Sequence, residues 1–207
     1  NKVLTLLNMK TFLDIAGKNF TFSNCNDCPS KCCDGREGTV FAQLILEDFE
    51  VVSKNFPILF TFGDMGFLKA VVLFSDGKSF CPYVKNNQCS IYNERPSICR
   101  VYPLSPNVDD KIYIDDNCPA VDTSSGIKIV DNGNVTEQFQ YKTLVDYQNK
   151  YIETHLELEQ LNNINDFEVV TTINNISFYK YVGKIKNKYV NEHISSLENN
   201  KITKIYK

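Results

Sequence analysis

Apolar and polar positions along the chain predict a mixed fold. Val3, Leu6, Leu7, Phe12 and Ile15 recur within residues 1–16 as on one face of a short amphipathic helix. Asn19–Phe22 alternates as a short strand does, and Val40–Ile45 reads as extended. Asp34-Gly35-Arg36-Glu37-Gly38 between them is turn chemistry. Glu47 and Asp48 open a helix running to about Lys54, where acidic residues suit the positive end of the dipole, and Pro57 stops it. Leu68–Phe74 reads as a buried strand with the turn Ser75-Asp76-Gly77, and Lys111–Ile114 as another short strand. From Val135 the period lengthens. Phe139, Leu144, Tyr147, Tyr151, His155 and Leu158 predict a long helix ending near Leu161. Phe178, Val182, Ile185, Tyr189 and Ile194 predict a last long helix, and Phe167–Ile173 between the two suits strand or helix. The expected fold is α+β: a mainly helical single domain over residues 1–207, with few short strands and a long C-terminal helix pair.

Composition narrows the function classes. A chain of 207 residues, 43% hydrophobic and 23% charged, can build its own core. A net charge of -3 gives no electrostatic reason to expect nucleic acid or an anionic lipid surface. No apolar run is long enough to cross a membrane, so the expectation is no nucleic-acid partner, no membrane and a cytoplasmic location. The chain opens on Asn rather than Met, which leaves room for a removed targeting segment. Asn, Ile and Lys are plentiful and read as genome composition. The sequons at Asn134 and Asn175 are then expected by chance. No internal repeat is present.

The cysteines change the picture. There are eight, all between Cys25 and Cys118. They divide the chain into a cysteine-bearing part over 20–120 and a cysteine-free, mainly helical part over 121–207. Four fall within nine residues: Cys25, Cys28, Cys32 and Cys33. Buried free thiols account poorly for that density. A disulfide framework is allowed by the even count, yet a chain this long needs no staples, and Cys32 and Cys33 would each need a remote partner. Metal ligation fits best, because thiolates are soft ligands for zinc and iron–sulfur centres. The C-x2-C step lets a tight turn aim Cys25 and Cys28 at one centre, and Cys32 adds a third sulfur. Cys33 then reaches a different iron of a cluster, or a second metal. Cys81, Cys89, Cys99 and Cys118 arrive as a second group.

Structural zinc sites usually show paired knuckles, and here there is one C-x2-C with no histidine near it. His155 and His193 fall on predicted helices far downstream and read as surface or core residues. Irregular spacing of all-sulfur ligands suits a cubane cluster. If four cysteines hold it, the other four hold a zinc, hold a second cluster or support the first. The order C-x2-C-x3-C reverses that of radical S-adenosylmethionine enzymes, so the motif does not imply that chemistry.

The sharper signature is Cys81-Pro82-Tyr83, Cys89-Ser90-Ile91-Tyr92, Arg95-Pro96 and Cys99-Arg100-Val101-Tyr102-Pro103. Together with Cys25-x2-Cys28-x3-Cys32-Cys33 and Leu46-Glu47-Asp48, it resembles the zinc- or iron-chelating cysteine-cluster family, called CxxCxxCC or YkgJ-like. The resemblance covers about residues 20–120 and includes every element of that family's eight-cysteine pattern. A similar arrangement occurs in flagellin lysine N-methylases, described as iron–sulfur methyltransferases. The resemblance implies a fold organised around a cysteine-ligated metal centre, most simply a 4Fe-4S cluster, with zinc as the alternative. It also implies a candidate methyltransferase or oxidoreductase: an S-adenosylmethionine-dependent protein lysine methyltransferase-like enzyme, with a protein substrate or redox partner. The alternative is a zinc, electron-transfer or structural module without catalysis. No glycine-rich nucleotide loop is present and no catalytic residue is named.

Arg95 and Arg100 flank Cys99 and would offset the charge of a thiolate-held cluster. Alternatively, one of them forks onto a carboxylate of a bound small molecule such as S-adenosylmethionine. Tyr83, Tyr92 and Tyr102 are expected to pack around the centre, so Arg95, Arg100, Tyr92 and Tyr102 are the cofactor-binding candidates. Pro96 is expected to start the helical turn that carries Cys99.

Overall fold

A computed structural model describes residues 12–25, 28–37, 40–63, 66–107, 111–161 and 163–200. In chain order the first strands are β1 (Phe12–Asp14), β2 (Phe20–Phe22) and β3 (Phe41–Gln43). A 3₁₀ turn over Leu46–Asp48 leads into the short helix α1 (Phe49–Val52), then β4 (Ile58–Phe62) and β5 (Leu68–Leu73). The hairpin β6 (Val84–Lys85) and β7 (Gln88–Cys89) precedes α2 (Ser97–Val101), β8 (Leu104–Pro106) and β9 (Ile112–Asp115). Next come β10 (Ile127–Asp131), β11 (Asn134–Val135) and α3 (Tyr141–Glu159). The hairpin β12 (Phe167–Ile173) and β13 (Ile176–Tyr181) follows, and α4 (Lys188–Asn199) closes the chain.

The strands form four antiparallel sheets, in orders β12-β13-β4-β5-β3, β1-β9-β8, β11-β10-β2 and β6-β7. The five-stranded sheet is apolar on both faces, because alternate side chains point to opposite sides. Ile58, Phe60, Ala70 and Val72 join a first cluster with Phe49 and Val52 of α1, Leu158 of α3 and Val190 of α4. Leu59, Val71, Leu73 and Phe178 join a separate cluster with Val40 and Ile173. Another core lies between the two three-stranded sheets, where Phe20, Phe22, Ile114 and Ile129 meet Val101 of α2 and Leu144 of α3. Thus α3 runs between cores: its start packs in one and its end in another.

Helix α4 repairs a gap in the large sheet. Strands β13 and β4 pair only at Tyr179 and Phe60, so Ile58 and Tyr181 lack ladder partners there. His193 Nδ1 lies 2.7 Å from the Ile58 carbonyl, and the Tyr181 N–H donates to His193 Nε2 at 3.1 Å. The Ile58 N–H donates to Ser196 Oγ at 2.9 Å. Buried main-chain groups are satisfied by side chains where strands splay.

The expectation of a mainly helical domain is corrected. Strand and helix are nearly equal, at 30% and 31% of the described residues. The last helix begins at Lys188, and Phe178 belongs to β13. Residues 1–11 of the expected N-terminal helix lie outside the described residues, while Phe12–Asp14 is a strand paired with β9. The fold is not organised around a metal centre either: apolar clusters form its interior. Among the described residues, no three Cys, His, Asp or Glu side chains stand close enough together to hold an ion. The expected β2, β3, β5, β9 and α3 are present, and Phe167–Ile173 is a strand.

Candidate metal centre

Two short antiparallel bridges lie beside the cysteine segments. Beyond β2 the chain runs beside residues 118–122. Phe22 bridges Val121, the Ser23 N–H donates to the Ala120 carbonyl at 2.9 Å, and the Asp122 N–H to the Thr21 carbonyl at 2.9 Å. Cys118 opens the turn that leads into this pairing, the Val121 N–H donating to the Cys118 carbonyl at 2.9 Å. The Cys28 N–H lies 3.3 Å from the Cys25 carbonyl. The chain then enters a 3₁₀ turn over Lys31–Cys33 through Ser30, whose φ is 59°. At its end Asp34 bridges Phe80, and the Cys81 N–H donates to the Cys33 carbonyl at 2.8 Å, so Cys33 faces Cys81. The bridge is braced from outside by Arg36, which forks Asp34 at 2.8 and 2.7 Å and lies 4.7 Å over the Phe80 ring.

The other two ligand candidates arrive on separate elements. Cys89 ends the β6–β7 hairpin opposite Val84. Cys99 sits in α2, which Pro96 caps, as expected from the sequence. Asp48 holds the start of α2: its Oδ1 accepts from the Ser97 N–H at 2.9 Å and the Ser97 hydroxyl at 2.7 Å, and its Oδ2 from the Ile45 N–H at 3.3 Å. The sequence reading noticed Asp48 in its motif but not this clamp. Cys33, Cys81 and Cys99 pack against the first cluster, whereas Cys118 belongs to the core between the three-stranded sheets. The cysteines therefore border two cores rather than filling the middle of one.

None of the eight forms a disulfide; Cys81 and Cys118 are buried and Cys25 is exposed. The Cys32 and Cys33 sulfurs are 3.7 Å apart. Burial and neighbouring sulfur push up the thiols of Cys25, Cys33, Cys99 and Cys118. Burial comes first for Cys25, then Cys32 and Cys28, against a lowering by Arg95. Cys99 is pushed up to about 12 by burial and then Cys32, again opposed by Arg95. Cys118 rises to about 11 through burial, opposed by a backbone hydrogen bond at Ala120 and reinforced by Cys28, Cys32 and Cys25. For Cys33 the hydrogen bond with Cys32 lowers the pKa, but the Cys81 hydrogen bond, burial and the charges of Cys81 and Cys99 outweigh it. Protonation is how a metal-free thiol group avoids crowding negative charge, and a cation removes the need for it.

The arginines separate in role. Arg95 stacks its guanidinium 3.6 Å over the Tyr92 ring and donates from Nε to the Tyr92 carbonyl at 2.9 Å. Its positive charge reaches both Cys25 and Cys99. Arg100 instead donates to the Arg95 carbonyl at 3.1 Å and the Asn93 carbonyl at 2.9 Å, which braces the turn before α2. Tyr92 is 53% exposed. Tyr102 donates to Asp115 Oδ2 at 2.6 Å, beside the Cys118 loop. Tyr83 donates to the Asn55 carbonyl at 2.7 Å and packs edge-on against Phe56. Both histidines serve packing: His155 meets Phe67, and His193 is fully buried.

These observations define a class: a strand-rich α+β protein with eight cysteines outside any disulfide, four of them bordering two of its cores, and sulfur donors of the kind that suit soft metals. Residues 24–119 match the CxxCxxCC family model, described as a putative zinc- or iron-chelating domain, and the match supports that family and metal binding for this part of the chain. It spans all eight cysteines. No curated protein and no solved structure matches the chain. Among the described residues no helix is long and apolar enough to cross a membrane.

Proposed function

We propose that the protein chelates zinc or iron through Cys25, Cys28, Cys32, Cys33, Cys81, Cys89, Cys99 and Cys118, with iron held as a sulfide-bridged cluster of the 4Fe-4S kind. The observation that carries this reading is the meeting of thiols at the seam: the Cys32 and Cys33 sulfurs are 3.7 Å apart, and the Cys81 N–H donates to the Cys33 carbonyl at 2.8 Å. Thiols this close cannot all ionise without a cation among them. Arg95 supplies part of the compensating charge, which suits an anionic thiolate-held group. An all-sulfur donor set with no histidine beside it favours iron–sulfur chemistry over a mixed zinc site.

The likeness to flagellin lysine N-methylases rests on the cysteine arrangement alone. Methyl transfer from S-adenosylmethionine, with a protein substrate, is the reaction that likeness suggests. An electron-transfer role with a redox partner needs only the cluster. Arg100 is occupied by carbonyls, so Arg95, over Tyr92, is the cation left for a bound carboxylate.

The test is anaerobic purification with zinc, iron and acid-labile sulfide measured per chain, together with an absorption spectrum. Stoichiometric metal is expected, with sulfide and brown colour when the metal is iron. A protein that is isolated metal-free, and takes up neither zinc nor iron with sulfide, overturns the proposal.

A further inference from the structure

Helix α3 carries a second apolar stripe that the fold does not bury. Leu144, Tyr147, Thr154 and Leu158 make its buried face. Tyr141, Ile152 and Leu156 are 42%, 56% and 59% exposed, with half-buried Val145 in line with them. At about 100° per residue these four fall within about 60° of arc, centred more than about 120° round the helix from the buried face. Their spacing, i, i+4, i+11 and i+15, reads the same in both directions. The stripe is therefore symmetric about the point between Gln148 and Asn149.

We propose that this stripe is the contact between two copies of the chain, which pair through α3 as an antiparallel dimer about a two-fold axis. Such a contact requires a patch complementary to itself. Reversal about the Gln148–Asn149 midpoint sets Tyr141 against Leu156 of the second copy and Val145 against its Ile152, each pair occurring twice. At the centre Gln148 meets Asn149 of the second copy. Carboxamides both donate and accept, so the polar centre is matched and fixes the register. Phe67 is 42% exposed and stands edge-on to His155 at 4.6 Å, which widens the apolar surface at the end where Tyr141 of the second copy arrives. Charge favours the same seating. Lys142 and Glu153 are exposed on one flank of the stripe, and in an antiparallel pair like flanks face each other. Lys142 then lies within about two helical positions of Glu153 of the second copy, about 3 Å along the axis. Asp146 is as near along the axis but turned about 40° further from the stripe. A parallel pair would set the two helix dipoles side by side in one direction, which repels.

Sedimentation of the full chain under reductant, from low micromolar to near-millimolar concentration, tests the proposal. The wild type is expected to show a reversible monomer–dimer equilibrium. Ile152→Glu changes an exposed position and sets a carboxylate against Val145 of the second copy on each side. It is expected to raise the dissociation constant at least about a hundredfold, with the circular dichroism spectrum unchanged. Lys142→Glu should weaken the dimer, and adding Glu153→Lys should restore it. A wild type that stays monomeric throughout, or a dimer that withstands Ile152→Glu as one bridged through cysteines would, overturns the proposal. A dimer lost in Ile152→Glu but not restored by the charge exchange overturns the antiparallel seating.

Discussion

Replacing Asp48 by Ala should loosen the element that presents Cys99. The carboxylate is buried, at 6% exposure, and accepts from two donors of Ser97 and from the Ile45 N–H. Its burial pushes its pKa up, against lowering by the Ser97 and Ile45 hydrogen bonds and the Arg100 charge, so the bonds do not fully offset the cost of desolvating the charge. Two opposed effects therefore set the magnitude. Leaving the Ser97 and Ile45 N–H groups without partners costs about 1–3 kcal/mol each. Removing a poorly solvated charge returns part of that, for a net loss of about 2–4 kcal/mol. Asp48→Asn keeps a carbonyl for Ser97 but turns an amide toward the Ile45 N–H, and should cost only about 1 kcal/mol. Urea unfolding at neutral pH reads both, with a midpoint lowered by about 1–2 M for Ala at an m-value of about 2 kcal/mol/M. An Ala variant within about 0.5 kcal/mol of wild type, or an Asn variant as damaged as Ala, would refute the clamp.

Two further outcomes follow from the packing. His193 is held neutral by burial, opposed by its hydrogen bond to Ile58, and its pKa falls to about 4. The unfolded chain, with a histidine near 6.5, then binds more protons between pH 6.5 and 4, so stability is lost as pH falls through that window, by up to about 3 kcal/mol. In unfolding measurements between pH 7 and 4, His193→Gln should show a shallower decline than wild type; parallel curves would exclude His193 as the source. Gly35→Ala should lower the unfolding free energy by about 1–3 kcal/mol. A Cβ there runs into the Ser75 hydroxyl and comes within 2.8 Å of the Ser79 carbonyl, on the bridge that sets Cys33 against Cys81. An unchanged melting temperature would show that the bridge yields without cost.

The cysteine motif was more legible in the sequence than the fold. Cysteine spacing is a one-dimensional signal, and both halves of the motif could be read directly, as could Pro96 before Cys99. The clamp on Cys99 could not, because Asp48 and Ser97 are 49 positions apart. The fold misled through mimicry and omission. Phe178, Val182, Ile185 and Tyr189 have helical spacing, yet Val182 and Ile185 are exposed at 45% and 39%, on the segment between β13 and α4. Ile58–Phe62 has no alternation to detect, because its neighbours bury it from both sides. The missed signal was in the asparagines, read as genome composition. Asn86-Asn87, Asn132-Gly133 and Asn174-Asn175 each put both central residues at positive φ, the requirement of a two-residue hairpin turn. Those turns close β6–β7, β10–β11 and β12–β13. Asparagine tolerates that backbone better than other side chains, so the residue bias encodes hairpins.

The position of the thiols has a consequence for how the chain holds together. Helix α2 is one short turn of chain, yet its side chains reach both cores: Val101 lies in the core between the small sheets, Cys99 packs against the other, and Ile98 touches both. The 3₁₀ turn carrying Cys32 and Cys33 lies on the same boundary. Apolar burial stabilises each core on its own but fixes the seam weakly, since few buried side chains are shared across it. Long α3 spans the seam along one side. Thiolate–metal bonds on the other side would tie β2 and the Cys118 loop to Cys81 and α2, and metal binding by cysteines found only in the folded chain adds directly to folding free energy. Chelation at this boundary would thus lock the mutual arrangement of two cores that are each already packed, so metal loss should loosen their docking before it melts either one.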